Sequence, residues 1–280
     1  MTRIFAYLLP ILIALTQTAR ADTPKVGDPL AWPSLKAWLE DPPVVNDAAG
    51  KVVVHWFCAP RVPACRDDLA RLVALREAGK IYIIGYINGG KRDAMKLDPV
   101  RSEIAAGAVS YGRPVGKLMK ELGLGTGPAA IITNVDGKIA HVQLAGDPDQ
   151  LDARDAKVNE LVAAIKEFSV KPSGPSGTLK VGDRFEFKIE IDLAPWLSFN
   201  AAAPTELELT LPTEFKCDAS RISGDKIKIE GRHLTAAIGC SSSHRGSYEV
   251  RAEYRFGYVN PRGTQALGAD GTRWKFEIKE

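Results

Sequence analysis

The hydrophobic rhythm of the chain changes partway along. In the first part, continuous apolar runs alternate with helical spacing. "KVVVHWF" (51–57) is a short, mostly apolar run of the length expected for a buried strand. "RDDLARLVALREAG" (66–79) carries Leu69, Leu72, Val73 and Leu75 near one helical face, with Gly79 past its end, and predicts a helix. "KIYIIGYIN" (80–88), rich in branched and aromatic residues, predicts a second strand. Helical stretches follow near 92–106 and 114–122. "AAIITNVDGKIAHVQLAG" (129–146) reads as a hairpin, two apolar strands around the turn chemistry of Asp136-Gly137. "LDARDAKVNELVAAIKEF" (151–168) is amphipathic, with Val158, Leu161, Val162, Ile165 and Phe168 on its apolar face. The predicted order is β-α-β-α-β-β-α.

After residue 168 the rhythm shortens. "SVKPSGPSG" (169–177) has a linker's composition of Pro, Gly and Ser. Beyond it lie short strand candidates: "RFEFKIEID", "ELELTLP", "KIKIEG", "LTAAIG", "YEVRAEYRFGYV" and "RWKFEIK". Most alternate apolar and polar residues, so each should bury one face. Such strands predict an immunoglobulin-like β-sandwich over 178–280. A Gly/Pro/Asn-rich loop is expected at 257–271, between aromatic strands whose Tyr254, Phe256, Tyr258, Trp274 and Phe276 read as core and edge residues.

The first residues change the setting of all this. "MTRIFAYLLPILIALTQTARA" has Arg3, a short apolar stretch, and the small-x-small end Ala19-Arg20-Ala21. This is the pattern of a bacterial secretory signal peptide cut after Ala21. The apolar stretch is short for a membrane span, so a periplasmic protein with no span after cleavage is expected. The domains would then be 22–168 and 178–280, joined by a linker at 169–177. The formal net charge of +3 is nearly balanced, and no basic cluster or basic helix stands out in the sequence, which argues against nucleic acid and lipid surfaces as partners. The chain has 4 cysteines, Cys58, Cys65, Cys217 and Cys240, and in an oxidising compartment an even number points to disulfides whose pairing the sequence alone leaves open.

Three segments carry a family resemblance: "VGDPLAWP" (26–33), "VVVHWFCAPRVPACRDDL" (52–69) and "GPAAIITNVDGKI" (127–139). In their order and spacing, residues 25–168 resemble the exported TlpA-like thioredoxin/redoxin family. The resemblance implies a thioredoxin fold, with an entry segment, a strand, an active loop, a helix, and a cis-proline before the hairpin. It implies that Pro128 is cis and faces the active loop, so that Gly127 and Pro128 form a groove for an extended partner chain.

The same resemblance exposes a departure. The family places Cys-x-x-Cys just before the helix. Cys65 falls on the second cysteine, Val62 on the first, attacking one, and Arg61 on the flanking aromatic residue, while Cys58 falls on an aromatic position near the strand end. The usual first cysteine exploits a helix N-terminus, whose dipole and free N–H groups stabilise thiolate. Val62 supplies no thiol. Arg66 beside Cys65 would favour a thiolate, whereas Asp67 and Asp68 would oppose it. Val62 also stands where a peroxidase of this fold would need Thr or Ser. The cysteine spacing does not suit a copper carrier either. His141, on the hairpin strand, reads as a packing or surface residue, and the sequence calls for no metal and no cofactor.

Cys58 and Cys65 thus have three readings: a redox-active disulfide, an inert staple in the same geometry, or two buried thiols. Cys65 should be the more protected of the two, and Cys58, ending a buried strand, should be a poor attacking thiol. Cys217 and Cys240 read as a structural disulfide of the sandwich, with a redox pair as the alternative; His244, four residues after Cys240, brings too few donors for a metal. The expected function is thiol–disulfide exchange with thiols or disulfides of envelope proteins through Cys58 and Cys65. The alternative is a thioredoxin-fold binding or scaffold module without turnover.

Overall fold

The computed structural model describes residues 24–76, 80–96, 108–145 and 149–280. The expected signal segment, 1–21, lies outside the described residues. So does most of the helix expected over 92–106.

The N-terminal half is built on one central strand. β1 (Val52–Cys58) is buried along its whole length. It pairs in parallel with β2 (Ile81–Ile87) and antiparallel with β4 (Ala129–Thr133). β3 (Val109–Tyr111) and β5 (Ile139–Gln143) complete a 5-stranded sheet of order β3-β2-β1-β4-β5. Helices α1 (Val45–Ala48), α2 (Ala64–Arg76), α3 (Lys91–Met95), α4 (Arg113–Glu121) and α5 (Asp149–Ala163) are interspersed. Alternation along β1 divides two layers of core. Val52, Val54, Trp56 and Cys58 pack with Leu69, Leu72 and Val158 of α2 and α5. Val53 and Phe57 pack with Val115 and Met119 of α4 on the other face. This strand order and these connections are those of the thioredoxin fold.

The C-terminal half is a β-sandwich. Its strands are β6 (Phe168–Ser173), β7 (Thr178–Lys180), β8 (Arg184–Leu193), β9 (Ser198–Phe199), β10 (Glu206–Thr210), β11 (Phe215–Cys217), β12 (Arg221–Ser223), β13 (Lys228–Glu230), β14 (His233–Ser242), β15 (Gly246–Val259) and β16 (Gln265–Lys279). One sheet runs β12-β10-β15-β16-β7 with β9 beside β15, and the other runs β11-β14-β8-β6 with β13 beside β14. Phe187, Ile189, Ile191, Leu207, Val250 and Phe256 fill the space between the sheets.

Three expectations are corrected here. The helix expected to reach 168 ends at Ala163, and most of the expected linker is strand β6, paired with β8 from Phe168↔Leu193 to Ser173↔Lys188. Its Pro172 is tolerated because β6 lies at a sheet edge. The glycine-rich segment 257–271 is mostly strand, with Tyr258 opposite Ala266 and Phe256 opposite Gly268. A Cβ on Gly268 would sit 2.3 Å from the Phe256 ring, so that glycine makes room for a core aromatic rather than for a turn. Finally, β3 has no counterpart in the predicted order, because three residues are too few to show a period.

The halves touch directly. Arg262, in the β15–β16 turn, donates to the carbonyl of Asp47 at 3.2 Å and faces its carboxylate. Trp196 lies on Gly50, whose φ of 72° suits glycine and where a Cβ would come within 2.4 Å of the indole.

Candidate functional site

The site starts from side-chain direction. Cys58 is the last residue of β1 and shares the Trp56 face, the one covered by α2. Cys65 stands in the first turn of that helix. The loop 59–63 folds back between them, with Val62 N–H bonded to Ala59 O and Cys65 N–H to Val62 O. The result is a Cys58–Cys65 disulfide with Cα atoms 5.9 Å apart. The reading of two free thiols therefore falls away.

Both cysteines are sealed, with 0% of Cys58 and 1% of Cys65 exposed. They are not sealed alike. A groove of about 670 Å³ runs along the loop and the start of α2, lined by Pro60, Arg61, Val62, Pro63, Cys65, Arg66, Asp67, Asp93 and Lys96. Cys65 borders it and Cys58 does not. Exposure does not rank the two sulfurs, and only Cys65 belongs to a residue that lines the groove. The first turn of α2 forms the groove wall, while Cys58 lies below the loop with its carbonyl taken by the N–H of Asn88.

The groove also differs from the one expected at Gly127 and Pro128. There is no cis peptide bond among the described residues, so the bond before Pro128 is trans. Trans is the intrinsic preference by only about 0.5–1 kcal/mol, and local context decides. Pro128 is buried and its carbonyl accepts from Gln143 Nε2 at 2.9 Å.

Under the disulfide helix lies a polar network the sequence reading missed. Arg154 of α5 and Asp68 of α2 are both 0% exposed. Arg154 Nη1 lies 2.7 Å from Asp68 Oδ1 and donates to Oδ2 at 2.9 Å. Trp56 Nε1 donates to the same Oδ2 at 2.9 Å. Arg154 also donates to Gln143 Oε1 at 3.1 Å and to Asp155 Oδ1. Asp155 in turn accepts from Arg71 of α2. Asp68 is therefore neutralised by a guanidinium, which leaves Asp67 as the exposed acid that opposes a thiolate at Cys65. The signal was an arginine at 154 on the apolar stripe of the last helix, four residues before Val158.

His55 occupies the opposite face of β1. Its Nδ1 lies 3.1 Å from the Tyr86 hydroxyl, and Nε2 has no partner. Burial pushes its pKa down to about 3, so it is neutral at ordinary pH. Burial likewise pushes the Tyr86 hydroxyl well above its usual range. His141 is depressed too, by burial and then by Arg154 and Lys157. Among the described residues, no group of three His, Cys, Asp or Glu side chains is arranged to hold a metal. In the sandwich, Cys217 and Cys240 face each other across β11 and β14 and form a disulfide, with Cα atoms 4.0 Å apart. His244 bonds Ser243 Oγ instead of joining them.

Solved structures that resemble the N-terminal half include thioredoxin-like proteins and thiol-disulfide proteins. One is the thioredoxin domain of a thiol-disulfide oxidoreductase from Bacteroides vulgatus, at 19% identity and a TM-score of 0.36, covering 51% of this chain and 98% of that one. Another is a thiol-disulfide isomerase from Corynebacterium glutamicum, at 20% identity and a TM-score of 0.36, covering 48% and 96%. A third is a thioredoxin-like protein in its oxidized form, at 16% identity and a TM-score of 0.38, covering 50% and 97%. The N-terminal half is a thioredoxin fold with an atypical cysteine pair. Its strand order and its Cys58–Cys65 disulfide are what make it so. No protein-family model and no curated protein matches the chain.

Proposed function

We propose that the protein exchanges disulfides with other proteins through Cys58 and Cys65. The observation that carries this reading is the disulfide itself, at the junction of the central strand and the following helix, with Cys65 on the wall of a groove. A partner thiolate entering the groove attacks Cys65 Sγ. The Cys58–Cys65 bond breaks, Cys58 leaves as a thiolate and takes a proton, and a mixed disulfide joins the partner to Cys65. A second partner thiol then attacks the partner's own sulfur. Cys65 leaves as a thiolate held at a helix N-terminus, and the partner departs oxidised. The reverse sequence reduces a partner disulfide. The signal-like sequence at 1–21 supports a periplasmic setting for this chemistry, with envelope proteins as the proposed partners. Among the described residues, no helix is long and apolar enough to cross a membrane.

Mixed-disulfide trapping tests the order of events. Cys58→Ser should leave Cys65 to accumulate a stable adduct with a cysteine peptide disulfide, and Cys65→Ser should not. The opposite pattern would make Cys58 the entry sulfur and refute this mechanism. A second reading, a binding module without turnover, is favoured by the burial of both cysteines and by Val62 in place of a nucleophile. It predicts no adduct in either variant.

A further inference from the structure

The three parallel strands of the N-terminal sheet all end at the edge that carries the disulfide, and the segments leaving those ends are rich in positive charge. After β1 come Arg61 and Arg66, after β2 come Lys91, Arg92 and Lys96, and after β3 comes Arg113. The segments are neighbours: Asn88 N–H bonds Cys58 O, Gly112 N–H bonds Ile87 O, and Gly116 of α4 approaches the Asn88 side chain. All six cations are exposed, and none forms an ion pair among the described residues. Elsewhere exposed cations are commonly matched, as in Lys171–Asp192, Arg184–Asp218, Arg245–Glu280 and Lys275–Glu249. The described acids on the groove are Asp67 and Asp93, and Asp93 already accepts from the Gly90 N–H at 3.0 Å.

We infer that this edge docks an acidic, cysteine-bearing segment of a partner protein, seated on Pro60, Val62 and Pro63 with its carboxylates toward Arg61, Arg66 and Lys96. The inference rests on the exchange reading above and names the partner's chemistry. Two physical effects converge on it. Unpaired cations around a groove attract an acidic chain and speed its encounter. The attacking species is itself an anion, and nearby guanidinium and ammonium groups raise the thiolate fraction of an incoming cysteine. The charge is gathered from three strand-to-helix segments that are separate in sequence, so no run of basic residues announces it.

The test uses the full chain and synthetic peptides with one cysteine flanked by Glu, Gln or Lys, together with the same peptides carrying Ser for Cys. Fluorescence anisotropy of the Ser peptides reads docking without chemistry. The Glu peptide should bind at least about fivefold more tightly than the Lys peptide at low salt, with the gap closing near 0.5 M salt, where screening reaches a few ångströms. Arg61→Glu combined with Lys96→Glu should erase or invert the preference. Equal binding of all three peptides, or a preference that survives the double variant, overturns the inference. So does sedimentation showing that the double variant loses a dimer, because the occupant would then be a second copy of the chain. The Cys peptides, followed by reduction of Cys58–Cys65, should rank in the same order. A small neutral dithiol run beside them separates the two claims. If it fails to reduce Cys58–Cys65 in the folded protein, the exchange reading falls, while the Ser peptides still decide the docking.

Discussion

Arg154→Met should be among the most damaging single substitutions in the N-terminal half. The guanidinium is fully buried and bonds Asp68, Gln143 and Asp155, while Asp68 is fully buried with Arg154 as its counter-charge. Removing one partner of such a pair leaves an uncompensated charge and costs about 3–5 kcal/mol. The lost bonds to Gln143 and Asp155 put the expected value in the upper part of that range. Asp68→Leu alone should cost a similar amount. The double variant Asp68→Leu/Arg154→Met removes both charges and should recover most of the loss, ending within about 2 kcal/mol of the parent. Urea unfolding followed by tryptophan fluorescence suits the measurement, because Trp56 donates directly to Asp68. A cost below about 1 kcal/mol for Arg154→Met, or a double variant that loses the sum of the two singles, would refute the reasoning.

Three further outcomes follow from the same geometry. His55 binds a proton in the unfolded chain below about pH 6.5 but in the fold only near pH 3, so stability falls as pH drops through that window. The His55 contribution at pH 5 is about 2 kcal/mol, and a His55→Asn variant whose pH slope of stability between 6.5 and 5 matches the parent's would contradict it. Cys240→Ala should destabilise the sandwich by about 3 kcal/mol, from the loop its bond to Cys217 closes, while leaving the reduction behaviour of Cys58–Cys65 unchanged; peptide mapping and chemical denaturation check both halves of that statement. Val62→Cys places a thiol beside the first turn of α2 on the groove and should raise insulin-type disulfide reduction at least about tenfold, and no rise would mean that this helix start does not activate a thiol.

Much of the architecture was legible because it depends on periodicity. The runs at 51–57 and 80–88 appear as strands within a residue of their predicted positions, and the hairpin around Asp136-Gly137 spans Ala129–Gln143, within its predicted 129–146. What escaped was set by tertiary context. β3 is too short to show a period, and Phe168 looked like the end of a helix because its apolar side chain fits either a helix stripe or a strand. In the structure it packs edge-on to Phe256, with ring centroids 5.0 Å apart. At the site, the sequence located both cysteines but not the groove, which is assembled from two strand-to-helix segments distant along the chain. Asp68 looked like an acid opposing a thiolate because its partner Arg154 lies on another helix. Pro128 looked like a groove residue because the resemblance carried a cis bond that this backbone does not adopt.

Whether Cys58–Cys65 is an exchanging disulfide or a staple shows most directly in its reduction potential. The folded protein would be equilibrated against a series of dithiol redox buffers, with Cys58 and Cys65 quantified by alkylation and peptide mapping and Cys217–Cys240 followed in the same samples. The account predicts a potential for Cys58–Cys65 above about −300 mV, in the range of exchanging pairs, and one for Cys217–Cys240 below it. A Cys58–Cys65 pair that stays oxidised below that value as long as the fold persists would contradict the account.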